Sequence, residues 1–257
     1  MGVVELFGPI LSPEDTLADL AEMRRDDAVK AIVLRIDSPG GAVGAAQEIY
    51  AEVLRTDKVK PVIASMGSLA ASGGYYAAIG ARKIYANPGT LTGSIGVIAK
   101  FANLEELFAK IGYRSEVIKS GALKDIGSPD RTMTEEERLL LQEVLDSVHG
   151  QFIAAVAQRR NLAEDEVRKL ADGRILSGQQ AMTAGLIDGF GNLTDAAQAA
   201  AAAGGVEDGG EPKLIYPGKD EPFWKKFLSV QADSWIAALS RLRLPFLSYE
   251  WKGPTGG

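Results

Sequence analysis

The chain has 257 residues, 46% of them hydrophobic and 24% charged, and a formal net charge of −6. This ordinary globular composition allows one large core or two modest ones, and the acidic balance argues against a nucleic-acid partner, which needs clustered Lys and Arg. There is no cysteine, which excludes disulfides and thiolate chemistry, and the single histidine, His149, excludes zinc sites built on several histidines.

Residues 3–7 read as a strand, with no basic or apolar leader ahead of them. No apolar run approaches the roughly 18 residues that span a bilayer. Either the protein is cytosolic or an N-terminal anchor lies outside this chain. Ser12-Pro13-Glu14-Asp15 then gives an N-cap, a proline at the first helical position and an acid three residues after the cap, opening a helix with Leu17, Leu20 and Ala21 on one face. Residues 31–36 form a nearly continuous apolar strand, as expected in a parallel sheet covered on both faces. Asp37-Ser38-Pro39-Gly40-Gly41 breaks it, and a helix follows over about 42–54. Residues 61–65 are the next strand. A run of small residues comes after it, then a helix through Ala78. Residues 83–86, 94–98 and 114–119 look like further strands, and 103–111 like a helix.

Thr134-Glu135-Glu136-Glu137 is a capping box opening a long helix to about Arg160, and Ser177-Gly178-Gln179-Gln180 is a second. The Ala-rich stretch 196–203 is a helix ended by Gly204-Gly205. A polar linker, 206–212, leads to a tail whose Phe223-Trp224-Lys225-Lys226-Phe227-Leu228 is aromatic and basic. Strand and helix alternate, which predicts an α/β fold with a mainly parallel sheet and flanking helices. Residues 1–205 form the folded unit, and 206–257 a linker and tail suited to an oligomer or membrane contact. In such folds the chemistry gathers at the loops that follow the strands.

Three loops could carry that chemistry. In Asp37-Ser38-Pro39-Gly40-Gly41 the paired glycines let backbone N–H groups point at an oxyanion or a phosphate, although a plain strand-to-helix turn uses glycine as well. The loop lacks both the dinucleotide and the Walker phosphate patterns. In Met66-Gly67-Ser68-Leu69-Ala70-Ala71-Ser72-Gly73-Gly74, Ser72 fits a nucleophile best, because small residues flank it and a helix starts behind it. Ser68 is its rival, Ser65 belongs in or beside the strand, and all three could be caps or packing residues. A serine needs a base. His149 stands inside the 134–160 helix with no catalytic loop around it. Lys119-Ser120-Gly121-Ala122-Leu123-Lys124 offers two lysines, most of which are surface charges in any chain. A lysine can act as the base if burial lowers its pKa from roughly 10.4 to near 7, a differential of about 4 kcal/mol.

Taken together and in order, these loops resemble the bacterial signal peptide peptidase A family, serine-lysine proteases with the fold of the Clp protease and crotonase superfamily. The resemblance rests on residues 37–41, 66–76, Thr92-Gly93-Ser94-Ile95-Gly96 and 119–129, and extends over about residues 2–204. It implies Ser72 as nucleophile, Lys124 as general base in preference to Lys119, and Ser94 as the hydroxyl that orients the lysine amine. It also implies an oxyanion site made by the Gly40-Gly41 turn and the Gly73 N–H, with no metal and no cofactor. The implied reaction is peptide hydrolysis through an acyl-enzyme. The implied substrates are apolar signal peptides left in the membrane. Membrane association with an extracytoplasmic protease domain, an N-terminal anchor absent from this chain and a homo-oligomeric ring follow from the same resemblance. A crotonase-like acyl-CoA enzyme or a non-catalytic scaffold would share the fold, but would leave Ser72 and Lys124 unexplained.

Overall fold

The computed structural model describes residues 1–206, 210–218 and 248–250. Three apolar runs lie side by side in parallel at its centre: β1 (Gly2–Phe7), β2 (Ile32–Ser38) and β4 (Val62–Ala71). Their register places Val3 beside Val33 and Val33 beside Ile63. Side chains alternate between the sheet faces. Val33 and Ile63 therefore join Ala196, Ala197, Ala200 and Ala201 of α8 (Leu193–Ala203) on one face. Val4, Ile32, Leu34 and Ile36 pack on the other face, against Leu20 of α1 (Glu14–Arg25), Ile49 and Val53 of α2 (Val43–Asp57), α3 (Gly73–Ala78) and Phe152 of α5 (Glu135–Arg160). Both faces are covered, which is why these strands read as continuous apolar runs.

Among the described residues the sheet has seven strands. The order β1-β2-β4 continues through β5 (Lys83–Ala86) to β8 (Gly189–Phe190), all in parallel. β4 forks: Ile63–Met66 pairs with β5, while Leu69–Ala71 pairs with β6 (Leu91–Gly93). β7 (Ile175–Ser177) adds antiparallel to β6. The fork coincides with a bulge, since Ile36 faces Met66 but Ser38 faces Ala70. The Asp37 carboxylate fills the gap by accepting the Ser68 N–H at 3.1 Å.

Both expected capping boxes are present, at Thr134/Glu137 and at Ser177/Gln180 of α7 (Gly178–Thr183), and Asn192/Asp195 makes a third on α8. Other expectations need correction. Ser12 does not cap α1; Pro13 holds that position, with no side-chain cap bond. The strand expected at 94–98 lies earlier, at β6, because only there does the fork of β4 offer a parallel edge. Residues 114–119 form no strand: no described strand pairs with them, and Ile118 is fully exposed. α4 (Glu105–Lys110) falls within the expected helix, whereas α6 (Glu164–Leu170) and the short β3 (Gly40–Ala42), β7 and β8 were not legible as periodic patterns. Beyond residue 205, Ile215 bridges Gly2 and β9 (Ser248–Glu250) pairs antiparallel with β3. The stretch 223–228 lies outside the described residues.

Candidate active site

β4 ends at Ala71 and α3 begins at Gly73, so a single residue, Ser72, turns the chain from strand to helix. It does so at φ 54°, ψ −118°. Only three described non-glycine residues have positive φ: Ser72, Ser94 and Asn161. Asn161 merely ends α5 in the left-handed conformation. The other two lie in the sequence-predicted site. Such backbone costs on the order of 1–3 kcal/mol and persists where the surroundings impose it. Here the Ser72 N–H donates to Gly93 O at 2.8 Å, the Ser72 carbonyl accepts Tyr76 N–H at 2.8 Å, and the Ser94 N–H donates to Arg174 O at 2.8 Å. The first of these bonds ties the Ser72 turn to the Gly93-Ser94 turn.

The glycines around Ser72 are required by close approach. A Cβ on Gly73 would lie 3.2 Å from Gly40 Cα, from Gly41 N and from Ala46 Cβ. A Cβ on Gly74 would lie 2.8 Å from Ser38 O. Gly40 itself sits at φ 92°, a conformation suited to glycine. Ser38 braces this turn, its hydroxyl donating to Gly8 O at 2.7 Å and accepting the Gly40 N–H at 3.1 Å. Ile10 pairs with one edge of β3, its N–H donating to Gly40 O and its carbonyl accepting Ala42 N–H. Backbone groups alternate along a strand, so the Gly41 N–H and C=O face the opposite edge, where Tyr249 of β9 pairs with Gly41. Gly73 belongs to the first turn of α3, whose N–H groups lack partners within the helix.

Five of the six sequence-predicted residues thus gather at one place: Ser72, Ser94, Gly40, Gly41 and Gly73. Ser72 is 1% exposed and Ser94 8%. Of the rival serines, Ser65 is buried in β4 and accepts from Arg35 at 2.9 Å, while Ser68 is exposed in the bulge. Lys124 is not brought to this group within the chain. It lies exposed on the arm that runs from residue 96 to residue 136, and its side chain forms no hydrogen bond or ion pair with any described residue. Lys119, by contrast, is committed to an ion pair with Asp125 at 2.5 Å. His149 Nε2 is buried without a hydrogen-bond partner among the described residues. The supporting groups Asp37 and Ser38 lie inside the glycine motif, but nothing in their spacing marks them as braces. The described residues contain no cluster of His, Cys, Asp or Glu able to hold a metal ion.

Residues 55–207 match the family model for peptidase family S49, and residues 12–92 match that for Clp protease. A Synechocystis sp. protein provisionally named as a protease is 49% identical over 177 residues, 69% of this chain and 64% of its own length. An Enterococcus faecium protein provisionally named as signal peptide peptidase SppA is 41% identical over 71% of this chain and 54% of its own. Protease 4 of Salmonella typhi is 37% identical over 73% of this chain and 30% of its own. The matched region spans less than two thirds of each of these relatives.

Proposed function

Because the chain belongs to peptidase family S49, we propose that it is a serine endopeptidase whose nucleophile is Ser72 and whose general base is Lys124. The observation that carries this reading is the Ser72 turn: a buried serine held at positive φ between strand and helix, with Gly40 and Gly41 packed against the residue that follows it. In the reaction, Lys124 accepts the hydroxyl proton as Ser72 Oγ attacks the scissile carbonyl. The Gly41 N–H of the turn braced by Ser38 and Gly40, together with the Gly73 N–H, receives the oxyanion. The proton passes to the leaving amine, and water then hydrolyses the acyl-enzyme by the same route. Ser94, tied to the Ser72 turn through Gly93, orients the lysine amine.

A lysine serves as a base near neutrality only where burial disfavours its ammonium form. Lys124 is exposed in the single chain. A neighbouring subunit that covers the arm would supply that burial and would receive Lys124 beside its own Ser72. The proposed assembly is a homo-oligomeric ring with shared sites, since a head-to-tail contact whose rotation closes forms a ring. Leu107, Ile111, Val117 and Ile118, all more than half exposed on the arm, support a subunit contact there. The substrate class is extended apolar peptide, as in cleaved signal peptides at a membrane surface. The names of the relatives and the strand-pairing edge of Gly41 support it. No helix among the described residues is long and apolar enough to cross a membrane, and membrane association remains part of the proposal.

The test is complementation. Ser72→Ala and Lys124→Ala are unfolded together and refolded as an equal mixture. Shared sites restore roughly a quarter of wild-type activity, because each site draws its serine and its lysine independently from two subunit types. No recovery sinks the shared-site model while leaving the dyad intact.

A further inference from the structure

No residue between 96 and 136 is buried, so no apolar core holds the arm that carries Lys124. Around Lys124 the contacts that hold the arm are charged. Asp125, the next residue after Lys124, accepts from Lys119 Nζ at 2.5 Å and from Arg131 Nε at 3.1 Å. Arg131 Nη2 also donates to the Asp125 carbonyl at 3.3 Å. The same guanidinium grips Glu137 through both nitrogens, Nη1 to Oε2 at 2.9 Å and Nη2 to Oε1 at 2.5 Å. Glu137 is 2% exposed and is also the carboxylate of the α5 capping box, where it accepts the Thr134 N–H at 2.9 Å. The chain of contacts runs from the capping box of α5, through one arginine, to the residue adjoining Lys124.

We propose that Arg131, seated on Glu137, is a positioning residue for the reaction: it fixes Asp125 and, through the shared peptide bond, the backbone from which Lys124 reaches the serine. The inference rests on Lys124 being the base. A base works only within hydrogen-bond reach of its proton, roughly 2.6–3.2 Å, and a displacement of about 1 Å can cost on the order of 100-fold in rate. A planar guanidinium suits the task because its donors form a rigid fork that can hold two carboxylates at once. The pair titrates far from the working range. Arg131 holds Asp125 well below the usual carboxylate range, with Lys119 adding to the effect, and it holds Glu137 down to about 2. The clamp is thus fully charged wherever a lysine base could act, and it adds no ionisation of its own to the activity profile.

The experiment compares wild type, Arg131→Ala, Arg131→Lys and Lys124→Ala in the assembled protein. It measures kcat, KM and the pH dependence of kcat on a chromogenic peptide, with thermal unfolding alongside. Arg131→Ala lowers kcat by on the order of 100-fold with KM nearly unchanged, and moves the rising limb of the profile to higher pH because the amine is less well enclosed. Arg131→Lys recovers only a small part of kcat, since an ammonium cannot fork. A brace that merely stabilised the fold would lower the melting temperature and leave that limb in place. Wild-type kcat and an unmoved limb in Arg131→Ala, with Lys124→Ala inactive, overturn the clamp and leave the base standing. Full activity in Lys124→Ala overturns the base reading itself. If Arg131→Ala fails to fold, the isosteric Asp125→Asn replaces it, and an unaltered kcat and profile in that variant overturn the proposal.

Discussion

Replacing Gly41 by alanine tests whether the glycine turn is held by backbone contact. A Cβ at Gly41 would lie 2.0 Å from Ile10 O, 2.6 Å from Ile10 C and 2.7 Å from Ile10 N. These are backbone atoms, so no rotamer change relieves the clash. The segment around Ile10 must withdraw and break two hydrogen bonds, Ile10 N–H to Gly40 O at 2.9 Å and Ala42 N–H to Ile10 O at 2.7 Å. Each such bond is worth about 0.5–1.5 kcal/mol net, and overpacking costs about 1–3 kcal/mol more. The loss is therefore about 2–6 kcal/mol, or roughly 5–20 °C in Tm for a domain of this size. Gly44 is the control. It lies on α2 with nothing within 4 Å of an added Cβ, so alanine there stabilises by up to about 1 kcal/mol. Thermal and urea unfolding followed by circular dichroism measures both. A Gly41→Ala protein that melts within about 2 °C of wild type would refute the reasoning.

Further outcomes follow from the same geometry. Ser72→Ala abolishes peptide hydrolysis while Ser68→Ala retains it, and Ser72→Gly melts above Ser72→Ala because glycine accepts positive φ without strain; an inactive Ser68→Ala would reverse the choice of serine. Asp19 is raised from 3.8 to about 6, by burial first and then by the charges of Glu22, Asp15 and Glu5. Its folded form favours the proton, so the stability it contributes is present below pH 3.8 and lost as pH rises through about 6. Asp19→Asn therefore unfolds at higher denaturant than wild type at pH 7, and the gap narrows towards pH 4; equal midpoints at pH 7 would count against this. Ending the chain at Leu247 removes β9 and frees the Gly41 edge, which lowers KM for an extended peptide with kcat unchanged; a higher KM would show that β9 supports the site rather than occupying it.

The strands at the sheet centre were legible because burial on both faces writes itself as unbroken Val, Ile and Leu. The site's serines and glycines were legible as a cluster of small residues after those strands. Their positive φ was not, because Ser72 and Ser94 take it under the pull of Gly93 O and Arg174 O, long-range partners that no local pattern announces. β6 was misplaced by a few residues for a similar reason: its position is set by the bulge in β4, which depends on the Asp37 carboxylate reaching Ser68. Residues 114–119 carry the β-branched pair Val117-Ile118, but a strand also needs a neighbouring edge, and none of the described strands offers one. Arg131 carried no signal beyond lying three residues before a capping box.

The arm from residue 96 to residue 136 buries no side chain, whereas β2 and β4 are almost wholly packed. A segment of this kind can open without the remainder melting, so its amides exchange with solvent long before those of β2 or β4. Where a second molecule must cover the arm to complete catalysis, ordering and encounter become a single event governed by mass action. Specific activity then climbs with protein concentration. On dilution the enzyme falls silent although every strand of its sheet remains folded.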